Sequence, residues 1–133
     1  MTTSQNNYSN FLKQNKMFKH SVNGLSRFLI LWIIRFHYKI HGYGILKELD
    51  KFFETSINEG VLKPSSSSKI YSLLNEMEKS EVIVSKIEMN DNKKVKYYFI
   101  TEKGDFLLNY LFERFVGIFE NPQWQLLLND FEF

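Results

Sequence analysis

The run Pro64-Ser65-Ser66-Ser67-Ser68-Lys69, continued by Ser72, Asn75 and Lys79, combines short hydrogen-bonding side chains with ammonium groups. Proline suits the first turn of a helix and serine caps its free amides, so the run predicts a helix over 64–80. At 100° per residue, Ile70, Leu73, Leu74 and Met77 share an arc of roughly 100°, while Ser68, Ser72, Asn75 and Lys79 project from the other side. A helix that enters a nucleic-acid major groove about 12 Å wide needs such an outer face, short or polar and able to bond base edges or phosphates. The free amides near Ser65, Ser66 and Ser67 could hold a phosphate, with Lys69 and Lys79 flanking. A second basic cluster, Lys93, Lys94 and Lys96, suits backbone phosphates or a minor groove.

Other chemistries find little support. His20, His37 and His41 lack a carboxylate at metal-ligand spacing, so no metal is expected, and Gly42 with Gly44 is too short for a dinucleotide fingerprint. The two glycines are expected to shape the start of a helix. There is no cysteine, hence no disulfide and no thiolate. No Gly-x-Ser-x-Gly elbow with histidine and aspartate partners occurs. The chain is not expected to be an enzyme or to carry a cofactor.

The elements that would position these residues can be read in order. Residues 4–20 form at most a short helix in an Asn-rich arm. From Ser21 to Tyr38, Val22, Leu25, Leu29, Trp32, Ile33 and Phe36 recur at spacings of three and four, and Phe28, Leu31 and Ile34 widen the apolar face. This is a central helix. Ile45, Leu49, Phe52 and Phe53 mark a second helix, and residues 54–63 a polar connection. After the Ser-capped helix the period becomes two, from Ile83 to Met89 and again from Val95 to Ile100, about an Asp91-Asn92-Lys93-Lys94 turn. Thr101 can cap a last helix running to about Glu120. Helix, helix, helix, hairpin, helix is a winged helix-turn-helix, mainly α with a small β-hairpin, followed by a C-terminal helix suited to dimerisation. The expected organisation is an N-terminal arm or short helix (1–21), the DNA-binding domain (22–104), and a dimerisation helix with its tail (105–133).

Composition adds the second half of the reading. The 133 residues are 44% hydrophobic and include 13 Phe, each ring hiding roughly 150–250 Å2 when buried, which is more than one small core easily absorbs. Leu107, Leu108, Leu111, Phe112, Phe115, Ile118 and Phe119 cover an arc of roughly 140° on the last helix, with Phe106 and Tyr110 on a separate stripe. One stripe can pack on the domain. The broader one, with Trp124, is read as a subunit interface. An aromatic-lined pocket between subunits could take a small aromatic effector. The net charge of +2 is uneven: residues 11–51 balance at +6 and residues 104–133 at −4, as if one end approached a polyanion and the other faced away. The longest apolar run, Phe28 to Ile34, is far short of the roughly 20 residues that span a bilayer, and the first ten residues lack a signal-peptide layout. A cytoplasmic location away from membranes is expected.

Three stretches carry a resemblance to the PadR family of winged-helix transcriptional repressors: His41-Gly42-Tyr43-Gly44-Ile45-Leu46-Lys47-Glu48-Leu49, then Lys63-Pro64-Ser65 with Ile70-Tyr71-Ser72-Leu73-Leu74, and Tyr97-Tyr98-Phe99-Ile100-Thr101-Glu102-Lys103-Gly104. The resemblance spans about residues 25–104. It implies a homodimer on operator double-stranded DNA, usually repressing and often released by a small molecule. It also implies that Tyr71 lies on the recognition helix near DNA backbone and that the helix after Gly104 dimerises. The chain departs from the family in having Ser where a glycine precedes the Ile-Tyr pair, and Glu81 where a glycine precedes the first hairpin strand. The few residues after 104 point to the compact subgroup. A second reading stands beside this one: a winged-helix module that binds protein, with Glu76, Glu78 and Glu81 opposing the approach of phosphate.

Overall fold

A computed structural model describes residues 8–116 and 120–131. Helix α1 (Ser9–Gln14) gives way to the long α2 (Lys16–His37), then β1 (Ile40–His41), α3 (Gly42–Phe52), a short α4 (Glu54–Asn58) and α5 (Ser67–Lys79). Strands β2 (Ile83–Asn90) and β3 (Lys93–Ile100) form the hairpin, followed by α6 (Glu102–Val116) and α7 (Pro122–Asp130). This is a mainly helical winged helix-turn-helix with a helix after the wing.

The central helix starts earlier than its apolar period suggests. Asn15 is extended, and its side chain accepts the Phe18 amide at 2.9 Å, so a cap closes α1 and opens α2 at Lys16. The buried stripe of α2 also differs from the expected one. Ile30, Leu31, Ile33 and Ile34 are buried, whereas Leu25 and Phe36 are exposed, because a helix apolar on most sides does not itself select the side that meets the core. Trp32, packed against the edge of the core, stacks on the exposed Phe36 at 4.9 Å between ring centroids and meets Phe52 edge-on.

The core joins α2 to Ile45 and Leu49 of α3, Ile70 and Leu74 of α5, Ile83, Tyr98 and Leu108. Burying each such aliphatic side chain contributes roughly 1.5–3 kcal/mol. The sheet has three strands in the order β1-β3-β2, all antiparallel, with Ile40 opposite Tyr98 and Ile83 opposite Ile100. Strand β1 was not expected. It consists of two residues and exists because β3 supplies its partner groups.

Three local devices set the wing. Asp91 and Asn92 both adopt the left-handed region (φ 50° and 64°), the conformation of the two-residue hairpin turn whose twist matches the strands. At the end of α5, Val82 donates its amide to the Met77 carbonyl and Glu81 donates to Glu78, with Glu81 at φ 64°. This is the helix stop usually closed by glycine, which explains why a glycine is the familiar residue there. Finally, Thr101 caps α6: its hydroxyl accepts the Gly104 amide at 3.0 Å and donates to the Glu81 carbonyl at 2.6 Å. Gly104 lies so close to strand β2 that a Cβ on it would sit 2.0 Å from the Val82 carbonyl oxygen.

Candidate nucleic-acid interface

Helix α5 carries the site. Ile70, Leu73, Leu74 and Met77 are buried against α3 and the wing, which turns Ser68, Lys69, Tyr71, Ser72, Asn75 and Lys79 outward, all of them exposed. The sequence face and the structural face coincide. The four serines divide their work. Ser66 is the cap, its hydroxyl accepting the Lys69 amide at 3.1 Å. Ser65 is committed to α3: its amide donates to both carboxylate oxygens of Asp50 and its hydroxyl donates to Asp50 Oδ1 at 2.6 Å. That clamp fixes the segment leading into α5. Ser67 opens the helix, and with Ser68 it faces solvent.

Tyr71 is placed by a missing side chain. Its ring edge lies about 2.8 Å from where a Cβ on Gly42 would be, so the ring rests on the first turn of α3 with 44% of the residue exposed. Helix α3 is itself capped by His41, whose Nδ1 accepts the Gly44 amide at 2.9 Å. Gly42 and Gly44 therefore shape the start of this helix, as their position suggested. Among the described residues no group of three or more His, Cys, Asp or Glu could hold a metal ion.

The acidic residues beside α5 all have cationic or hydroxyl partners. Arg27 of α2 grips Glu76 with two bonds, Nε to Oε2 at 2.6 Å and Nη2 to Oε1 at 3.2 Å. The Arg27 hydrogen bond holds the Glu76 carboxyl below the usual carboxylate range. Glu78 accepts the Ser85 hydroxyl at 2.9 Å and lies 3.5 Å from Lys96 Nζ. Glu81 accepts from Lys103, which holds its carboxyl low in the same way. Little uncompensated negative charge therefore faces an approaching phosphate.

The wing lysines separate into two kinds. Lys93 and Lys94 are exposed beside the Asp91-Asn92 turn. Lys96 shares its strand face with the buried Tyr98, is paired with Glu78, and lies 5.6 Å above the Tyr98 ring. It is held toward the domain. Tyr98 is fully buried with a hydroxyl that has no hydrogen-bond partner, and burial, helped by the charges of Glu78 and Tyr71, pushes its pKa up to about 12. It stays neutral in the core under α5.

On α6 the expected interface residues fall in different places. Leu107 and Phe112 are exposed, Leu111 is half-buried, and Leu108, 1% exposed, closes the chain's own core instead of facing outward. The stripe that packs on the domain runs through Gly104, Leu108 and Leu111. Phe106 and Tyr110, read as a separate stripe, are exposed and face each other at 6.1 Å. Trp124 on α7 is 37% exposed, with Leu126, Leu127 and Phe131 also open to solvent. Ile118, Phe119 and the Phe115 side chain lie outside the described residues.

Several positioning residues escape a reading of the sequence. Arg27, Gly42 and Asp50 act through partners 49, 29 and 15 residues away. Arg35 of α2 bonds Asp105 at 3.1 Å and Asn109 at 2.7 Å, tying α6 to the central helix. Only the charge of the two arginines, on a helix otherwise apolar at its centre, hinted at long-range partners.

The comparisons with known proteins bear on this arrangement. Residues 30–109 match the model of the transcriptional regulator PadR-like family. A PadR-like transcriptional regulator from Bacillus cereus strain ATCC 14579 is 28% identical, with 81% of this chain and 96% of that one covered at a TM-score of 0.61. A PadR family transcriptional regulator from Eggerthella lenta DSM 2243 is 22% identical over 87% of this chain and 86% of that one, TM-score 0.57. A PadR-like transcription factor from Bacteroides fragilis, 16% identical over 80% and 94%, superposes at a TM-score of 0.60. No curated protein sequence gives a significant match.

Proposed function

The chain belongs to the PadR-like family of transcriptional regulators, and from that premise we propose that it is a homodimeric, sequence-specific repressor that reads double-stranded operator DNA with α5 and steadies it with the wing. The observation that carries the reading is the outer face of α5. Ser68, Ser72 and Asn75 stand exposed between Lys69 and Lys79, while the neighbouring Glu76 and Glu78 are engaged by Arg27, Ser85 and Lys96. Ser72 and Asn75 reach base edges. Ser66, Ser67, Lys69, Tyr71, Lys93 and Lys94 hold phosphates, and Ser65 acts through its clamp on Asp50.

The exposed apolar residues of α6 and α7, Leu107, Phe112, Trp124, Leu126 and Leu127, form the contact between copies. A two-fold dimer places its recognition helices about 34 Å apart, one turn of a pseudo-palindrome. Release by a small aromatic effector held among the aromatics between the subunits belongs to the same proposal. So does a cytoplasmic location; among the described residues no helix is long and apolar enough to cross a membrane. The competing protein-binding reading drew on Glu76, Glu78 and Glu81 opposing the approach of phosphate, and those acids are engaged by Arg27, Ser85, Lys96 and Lys103.

The test is the binding of DNA from around the protein's own gene, followed by fluorescence anisotropy across a salt series. Replacing Lys93 and Lys94 with Ala should lower the slope of log K against log salt by about 2, near 0.9 per phosphate contact. Lys96→Ala should change it by less than about half that for one contact, because Lys96 already serves Glu78. Asn75→Ala should cost about 1–3 kcal/mol on the preferred site and little on random DNA. Absence of binding at low salt, or indifference to all three changes, would overturn the DNA reading and favour the protein-binding module.

A further inference from the structure

We propose that the groove between the N-terminal helices and the segment leading into α5 binds a small amphipathic organic anion, a carboxylate with an apolar tail. The groove has a volume of about 530 Å3, within the range of small-molecule sites. Leu12 and Phe18 with Val22, Val61 and Leu62 form an apolar lining. Lys13, Lys19, Lys63 and Lys69 line the same groove, and no carboxylate does.

The charge is what distinguishes this groove. Lys39, Lys51, Lys96 and Lys103 each have a glutamate within ion-pair distance, whereas Lys16, Lys47, Lys79, Lys86, Lys93 and Lys94 have none among the described residues, so it is the gathering of four lysines about one concavity without a carboxylate that sets the groove apart. Among the described residues, no such pair involves Lys13, Lys19, Lys63 or Lys69. Four like charges around one concavity raise its local potential and attract an anion. The apolar lining narrows the class further. An inorganic anion would leave that lining wet, and a neutral hydrocarbon would leave the ammonium groups unmatched. A nucleic-acid backbone would use the lysines and ignore the lining. Phe18, Val22 and Leu62 also line a second hollow of about 230 Å3 beside Leu25 and Phe53.

Lys63 and Lys69 flank the start of α5, so an occupant neutralises charge where DNA arrives. That regulatory consequence rests on the function proposed above, whereas binding of the anion does not.

Isothermal titration of the full chain without DNA separates the two. The probes are decanoate below its micelle concentration, decan-1-ol and inorganic phosphate. The variant is Lys13→Gln combined with Lys19→Gln, both exposed and outside the DNA face. Decanoate should bind the wild type, at least tenfold more weakly the variant; decanol should bind at least tenfold more weakly than decanoate, and phosphate should give no saturable heat. Decanol matching decanoate, phosphate matching decanoate, or a variant with unchanged decanoate affinity overturns the site. In the DNA assay, saturating decanoate should weaken binding by the wild type at least fivefold and leave the variant unaffected. DNA binding without decanoate binding overturns this inference alone, and decanoate binding without DNA binding overturns only the functional reading.

Discussion

Glycine to alanine at two positions should move stability in opposite directions. At Gly104 the added methyl would lie 2.0 Å from the Val82 carbonyl oxygen and 2.8 Å from Ile100 Cγ1. A carbon–oxygen contact needs about 3.3 Å, so the first turn of α6 must retreat by about 1.3 Å. The obstacle is backbone, which cannot rotate aside. Retreat strains or breaks the Thr101 amide bond to Val82 (3.1 Å) and the Thr101 cap on Gly104, and it lifts Leu108 one turn later out of the core. Overpacking costs about 1–3 kcal/mol, a lost cap about 1, and partial exposure of one leucine about 1 more. The expected loss is about 4 kcal/mol, or roughly 12–16 °C in Tm for a chain of this size.

At Gly24, within α2, a Cβ meets nothing within 4 Å. There the substitution removes only the backbone freedom of glycine in a helix and should stabilise by about 0.5–1 kcal/mol. Thermal melts followed by circular dichroism, at one fixed protomer concentration, read both changes. Gly104→Ala within about 1 kcal/mol of the wild type, or Gly24→Ala destabilising, would refute the packing argument.

Other substitutions probe the remaining devices. Glu81→Gly relieves a left-handed non-glycine residue at the end of α5 and should raise the melting temperature by a few degrees despite the lost Lys103 pair, as a thermal melt would show. Gly42→Ala should leave the melting temperature nearly unchanged, since it meets only the end of the Tyr71 side chain, yet, if Tyr71 holds a phosphate as proposed, lower DNA affinity about fivefold by displacing that ring. The carboxyls of Glu76 and Glu81 titrate below their unfolded value of 4.5, so their stabilising effect is full above that value and lost as pH falls through the folded ones. Urea denaturation between pH 6 and 3 should therefore show a flatter decline for Arg27→Gln combined with Lys103→Gln than for the wild type.

Much of this architecture is legible in the chain because local signals and tertiary demands agree. The period of two around Asp91-Asn92 and the Ser-capped amphipathic run of α5 each specify one structure. Agreement fails where a helix is apolar on several sides. Neither α2 nor α6 declares which stripe meets the core, so Ile30 and Leu108 are identified only once the partners are in place. Strand β1, two residues long, has no period to read. The split among the serines is invisible for a similar reason: Ser65 differs from Ser66 only in having Asp50 within reach.

Helix α2 holds the recognition helix through Arg27 and the C-terminal helix through Arg35, eight residues or about 12 Å apart on one rigid rod. In mechanical terms it is a lever with one grip at its middle and one near its C-terminal end. In a dimer whose reading heads stand about 34 Å apart, each head swings on a radius of about 17 Å, and a rotation of about 11° advances it by one base-pair step of about 3.4 Å. In the proposed dimer, a small change of tilt where the subunits meet would thereby become a full misregister on the operator.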